Sequence, residues 1–181
     1  MQFPRLGPEA LDALRLEQLF VKLEKPLFNL VLRWVRTPSE AADVTQEAFL
    51  RIWKARARVD AATVEPLLYR TALNLAANRR RTQRLWGFLG LDPDTASAAP
   101  LADAGLEAAS LQREVQAAVD GLPESLKRVV LLCEFSELSY AQVGAALGIP
   151  AGTVGSRRNK ALALLSQKLG PRFGDLEGEL P

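Results

Sequence analysis

Gly148-Ile149-Pro150 stands between two helix-periodic segments and leaves the backbone few solutions. Glycine enters the left-handed region at no steric cost, so Gly148 is suited to end a helix. Proline disfavours the helical region for the residue before it and is pre-set to open a new helix. Ser139-x-x-Gln142, upstream, has the form of a capping box. This spacing predicts a short helix from Tyr140 to Leu147, a tight turn, and a second helix from Ala151. That is helix-turn-helix geometry.

The second helix sorts into faces. Ala151, Val154, Ala161, Leu162 and Leu165 fall inward, while Thr153, Ser156, Arg157 and Lys160 share the outer side. Hydroxyls and cations without an acid suit the edges and phosphates of a DNA major groove. The competing interpretation is a structural αα-hairpin. Arg158 falls near the inward stripe, so its stem is expected to pack and its head to reach outward to a phosphate.

Charge is segregated along the chain. The formal balance is +2, from 23 Lys and Arg against 21 Asp and Glu. Yet positions 66–91 hold five arginines and no acid (Arg70, Arg79, Arg80, Arg81, Arg84). Positions 138–174 hold Arg157, Arg158, Lys160, Lys168 and Arg172, again without an acid. The remaining residues carry 13 cations against the 21 acids, a surplus of eight negative charges. Two basic islands on an acidic background point to polyanion binding at two places, against the alternative of two solvated helix faces.

The rest of the chain also reads as helix. Leu16, Leu19, Phe20, Leu23, Leu27, Leu30, Val31 and Trp34 repeat at helical spacing, with Pro26 predicting a kink or a junction of two helices. Ser39 is a candidate N-cap for a helix running to about Ala55. Its buried side is Val44, Thr45, Ala48, Phe49, Ile52 and Trp53; Asp43, Gln46, Glu47, Leu50 and Lys54 form a separate stripe that a partner or only water covers. Positions 56–65 read as a loop, and Pro66 as a helix start. Val64, Leu68, Thr71, Ala72, Leu75 and Ala76 can face a core, and Arg70, Asn74, Asn78 and Arg81 a second face, interleaved with Tyr69. Trp86, Phe88 and Leu89 are expected to pack on this first domain. Downstream, Leu106 to Asp120 is amphipathic and ends at Gly121; Pro123 opens a helix that turns Leu126, Val129, Val130 and Cys133 inward.

No β-type alternation occurs, so the fold class is all-α: two small helical domains joined by a flexible linker. The domains are 1–86 and 106–170, the Pro/Ala/Ser/Asp-rich linker is 87–105, and 171–181 is a tail without an assigned role. Absence of histidine excludes a His–Asp–Ser triad and a Cys/His zinc site, and no phosphate-binding loop is present. No catalytic residue, metal or cofactor is therefore assigned, and no enzyme activity is expected. Cys133 alone cannot form an internal disulfide, and no signal peptide or membrane span is evident, so a cytoplasmic location is expected.

Three stretches carry a family resemblance. AADVTQEAFLRIWKA (41–55), EPLLYRTALNLAANRRR (65–81) and the segment 122–165 resemble, in order, the polymerase-binding helix, the promoter −10 helix and the −35 domain of bacterial sigma factors. The group is the extracytoplasmic-function (ECF) sigma factors of the sigma-70 family, and the likeness covers about residues 16–169. It implies that Asp43, Gln46, Glu47 and Leu50 meet core RNA polymerase through its beta and beta-prime subunits. It implies −10 contacts from Tyr69, Arg70, Asn74, Asn78, Arg79 and Arg81, with loop 56–65 as a pocket wall for an unstacked base. It implies −35 contacts from Thr153, Ser156, Arg157, Asn159 and Lys160. The implied function is promoter-specific initiation with help in melting; the implied partners are core polymerase and promoter DNA, with an anti-sigma factor left open. Leu67, Asn78, Gly155 and Arg158 depart from the family's usual residues. The alternatives are a stand-alone helix-turn-helix regulator and a sigma-like interaction protein.

Overall fold

The computed structural model describes residues 11–88 and 106–173. Helices account for nearly all of them, and no strand occurs among the described residues. The chain divides into two compact units, Met1–Ala96 and Ser97–Pro181. The expected linker, 87–105, lies almost wholly outside the described residues, as do Leu89 and most of the 171–181 tail.

The first unit packs α1 (Ala13–Val35), α2 (Pro38–Ala55) and α3 (Val64–Phe88) pairwise against one another, with a short 3-10 helix at Arg56–Arg58. Asp12 caps α1 by accepting the Arg15 N–H at 2.7 Å. Pro26 does not divide this segment into two helices: a single helix runs through it. Leu23, Leu27 and Leu30 are buried on both sides of the proline, so packing outweighs the lost backbone bond. Helix α1 ends at Arg36, a non-glycine residue at φ 77°. The N-cap of α2 is Thr37 rather than Ser39, because Pro38 already occupies the first turn. The Thr37 hydroxyl donates to Glu40 Oε2 at 2.7 Å.

Helix α3 begins two residues before Pro66. The Asp60 carboxylate accepts the Ala62 N–H, and Leu67 N–H bonds Thr63 O at 3.2 Å, which starts the helix at Val64. Pro66 then sits in the first turn, where a missing N–H leaves nothing unsatisfied. Because α3 contacts both α1 and α2, its buried face is wider than one stripe. Leu73 and Ala77 are buried beside the expected Leu68, Ala72 and Ala76. The last two turns are uncovered instead: Leu85, Trp86 and Phe88 are exposed, Phe88 at 88%, contrary to the expected packing of Trp86 and Phe88.

The second unit holds α4 (Leu106–Asp120), α5 (Glu124–Phe135), α6 (Tyr140–Leu147) and α7 (Ala151–Phe173). Helix α7 contacts all three others. Leu122, Leu126, Val130 and Ala161 form the buried centre, with Leu162, Leu164 and Leu165 packed against it. Cys133 is half-buried, and burial raises its thiol pKa. Lys127 and Asp120 form an ion pair at 2.5 Å with almost no solvent exposure, joining α4 to α5.

Candidate nucleic-acid and partner interfaces

The turn between α6 and α7 is built from three local devices. Ser139 and Gln142 exchange capping-box bonds, and Gly148 stands at φ 67° with its N–H on Gly144 O. The third is Gly144, which sequence reasoning did not single out. A Cβ there would lie 2.6 Å from Ile149 O, so only glycine lets α6 approach the turn this closely. Its signal was the glycine at mid-helix, a position that normally costs about 1 kcal/mol.

Helix α7 then presents its outer side. Ser156, Asn159 and Lys160 are exposed, and Thr153 and Arg157 are half-buried. The Ser156 hydroxyl donates to Thr153 O at 3.1 Å. Ala151 is exposed rather than inward, although its backbone lies close to Gly144 of α6 at the helix start. The Arg158 head does not extend toward a phosphate. Its Nε and Nη2 bond Glu134 Oε1 of α5 at 2.8 and 2.7 Å, and this partner holds the guanidinium even more firmly protonated. Gly155 faces the Tyr140 ring, where a Cβ would stand 3.6 Å away.

On α3, Arg70, Asn74, Asn78 and Arg81 are all exposed and recur at four-, four- and three-residue steps, which aligns them on one face. Two expected members fall elsewhere. Tyr69 is 1% exposed, on the side that packs against the neighbouring helices. Arg79 lies nine residues beyond Arg70, half a turn round at about 100° per residue. It faces α2, with Nη2 3.7 Å from Asp43 Oδ2 and Nε 4.0 Å from Glu40 Oε1. Beside this face, Arg80 has its pKa lowered, first by burial and then by Arg36 and Arg84.

On α2, Asp43, Gln46 and Leu50 are exposed and Glu47 partly so, in one stripe. Glu47 Oε1 accepts from Arg51 Nε at 2.8 Å, and this bond lowers the carboxyl pKa, keeping it ionised. The stripe borders an apolar groove between α1 and α2 of about 350 Å³, lined by Leu16, Phe20, Gln46, Phe49, Leu50 and Trp53. Trp53, expected in the core, is 40% exposed there with the Arg56 guanidinium 4.1 Å over its ring. Phe20 is equally exposed and meets Phe49 edge-on at 4.9 Å. Helical spacing placed both on an apolar face but carried no sign that a groove stays open between α1 and α2 there.

Loop 56–65 walls a second cavity, of about 360 Å³, between Ala61, Ala62 and Val64 on one side and Arg15, Gln18, Leu19 and Lys22 of α1 on the other. Lys22, one of the lining residues, bonds Glu65 at 2.7 Å. Among the described residues, no cluster of His, Cys, Asp and Glu could hold a metal ion, and no helix is long and apolar enough to cross a membrane.

Known proteins resemble this chain over most of its length. The family model "Sigma-70 region 2" matches residues 19–85, and "Sigma-70, region 4" matches residues 112–165. RNA polymerase sigma-H factor of Pseudomonas aeruginosa is 33% identical over 175 residues, covering 88% of this chain and 89% of that protein. ECF RNA polymerase sigma factor SigE of Mycolicibacterium smegmatis is 34% identical over 134 residues, covering 72% of this chain. The match spans 52% of SigE, about half its length. Among solved structures, the sigma factor RpoE bound to the anti-sigma factor NepR from Bartonella quintana has a TM-score of 0.66 at 18% identity, covering 85% of this chain and 96% of that one. CnrH in complex with the cytosolic domain of CnrY also scores 0.66, at 21% identity, covering 87% and 88%. At these identities the structural likeness shows the fold alone.

Proposed function

The chain belongs to the extracytoplasmic-function group of the sigma-70 family of RNA polymerase sigma factors, and we propose that it binds core polymerase through α2 and directs initiation at promoters read by α3 and α7. The observation that carries this reading is the division of surfaces. Arg70, Asn74, Asn78 and Arg81 form an acid-free face in the first unit, and Thr153, Ser156, Arg157, Asn159 and Lys160 form another in the second. The α2 stripe is mixed acidic and apolar, and suits a protein better than a nucleic acid.

In this reading residues 1–86 meet polymerase and the −10 element, residues 106–170 meet the −35 element in the major groove, and 87–105 tether them. Tethering raises the effective concentration of the second unit once the first is bound. Tyr69 supports α3 from below, its side chain being buried. Phe20 and Trp53 join Asp43, Gln46, Glu47 and Leu50 on the polymerase face, because they line the groove beside them. Opening duplex DNA costs about 1.4 kcal/mol per stacked step. Stacking of a captured base returns about 1–3 kcal/mol, and the cavity beside loop 56–65 is the place for such a base. The chain makes and breaks no bond; the polymerase does the chemistry in the cytoplasm. An anti-sigma factor that covered the α2 stripe would act by competing with polymerase.

Run-off transcription with bacterial core polymerase on genomic fragments tests the reading, and discrete promoter-specific transcripts are expected. Arg157→Glu should abolish transcription from those promoters while leaving polymerase binding intact. Asp43→Ala with Glu47→Ala should weaken polymerase binding. Sequence-specific gel shifts without polymerase would favour a stand-alone regulator instead. Polymerase binding without any transcript would favour a regulatory interaction protein.

A further inference from the structure

Arg79 lies in the acid-free stretch of α3 but does not share the face of Arg70 and Arg81. It turns to α2, where its guanidinium meets Asp43 at 3.7 Å and Glu40 at 4.0 Å. Glu40 is a fixed anchor. It accepts from the Thr37 hydroxyl at 2.7 Å and from Gln83, one helical turn beyond Arg79. Its side chain is only 20% exposed. Asp43 is the opposite, with a side chain 67% exposed and open to an approaching partner. One carboxylate therefore belongs to two surfaces: it heads the α2 stripe, and it is the counter-ion of a cation on the DNA-binding helix.

We propose that Arg79 guards Asp43: a polymerase group that takes the Asp43 carboxylate displaces Arg79 from it, leaving the arginine only its 4.0 Å contact with Glu40 and so easier for a DNA phosphate to draw away. This rests on the assignment of the α2 stripe to polymerase. The free chain then keeps this cation neutralised, and docking on α2 unmasks it in part. By linkage, breaking the pair subtracts from docking, and removing Arg79 must strengthen docking by the same factor. Exposed ion pairs are weak, so the factor is about two- to fivefold.

The test measures binding of the labelled full chain to bacterial core RNA polymerase at low salt. The variants are Arg79→Ala, Asp43→Ala, the double variant, and Arg84→Ala as a charge control on the same helix. Arg79→Ala should bind about two- to fivefold more tightly than the unmodified chain. Arg84→Ala should bind as the unmodified chain does, and the double variant should match Asp43→Ala. The gain should vanish at about 1 M salt, where the screening length falls to about 3 Å. Unchanged or weaker binding by Arg79→Ala, with Asp43→Ala still weakened, overturns the guard while leaving the polymerase face standing. An equal gain from Arg84→Ala overturns it too, since any lost cation would then suffice. If Asp43→Ala binds like the unmodified chain, the polymerase face itself fails, and the guard with it.

Discussion

Alanine at Gly144 and alanine at Gly155 should shift the stability of the second unit in opposite directions. Both glycines sit inside helices, α6 and α7, so each alanine gains about 1 kcal/mol of helix propensity. What the new methyl group meets then decides the sign. At Gly144 it would stand 2.6 Å from Ile149 O and 3.4 Å from Ala151 N, both backbone atoms of the turn. Neither can move without opening the angle between α6 and α7. Overpacking of this kind costs about 1–3 kcal/mol. With two backbone atoms crowded, the upper half of that range applies, and the net effect is a loss of about 1–2 kcal/mol. At Gly155 the methyl group would meet the Tyr140 ring at 3.6 Å, an ordinary contact. There the propensity gain survives, as about 1 kcal/mol of added stability.

Urea titrations of the full chain, followed by helical circular dichroism, measure both changes. A shift of 1 kcal/mol corresponds to about 4–8 °C in melting temperature for a unit of this size. Gly144→Ala should also reduce transcription, because the turn sets the direction in which α7 leaves α6. Gly155→Ala should reduce it less or not at all. A rise in stability for Gly144→Ala would refute the close approach of α6 to the turn. A fall for Gly155→Ala would refute the placement of the Tyr140 ring.

Three further outcomes rest on single contacts. Thr45 is 4% exposed and its hydroxyl has no hydrogen-bond partner, so Thr45→Val should raise the urea midpoint of the first unit, by about 1 kcal/mol in free energy. Lys127→Ala should cost about 3–5 kcal/mol in the same titration, because it removes the ammonium 2.5 Å from the nearly buried Asp120 carboxylate, whereas an apolar pair of similar volume at both positions should be near neutral. Burial raises the Cys133 thiol pKa, so at neutral pH less thiolate is present in the folded chain than in the unfolded one. Labelling with iodoacetamide at pH 7.5 should therefore be slower in the folded chain than in urea, and the two rates should converge as pH rises through the folded value.

Much of this architecture was legible because its signals are local. Ser139, Gln142, Gly148 and Pro150 act within a few residues of themselves, and α6 begins and ends where they require. The α2 boundary at Ala55 and the α4 boundary at Asp120 were readable for the same reason. The misreadings share a cause as well. Periodicity assigns a side chain to a face, but it does not say how many neighbours that face has or how far they extend. Helix α3 has two neighbours, so Tyr69 and Leu73 are buried outside the expected stripe. The same helix outruns both neighbours, so Trp86 and Phe88 are bare.

Long-range ion pairs were invisible for a related reason. A basic window treats its cations as interchangeable, yet geometry divides them. Arg70 and Arg81 face outward, Arg79 is held by Asp43 and Glu40, and Arg158, from a window free of acid, is held by Glu134 just outside it. Only cations without such a partner bind phosphate without first breaking a pair, so the phosphate contacts of each unit number fewer than its formal charge. The salt dependence of DNA binding follows the phosphate contacts that are made. Its slope should therefore fall below the value that ten cations in the two windows would give. Neutralising Glu134 as Glu134→Gln should steepen it by about one contact, as Arg158 is released. A slope already accounting for all ten cations, or one indifferent to Glu134, would show that these arginines reach DNA regardless of their partners.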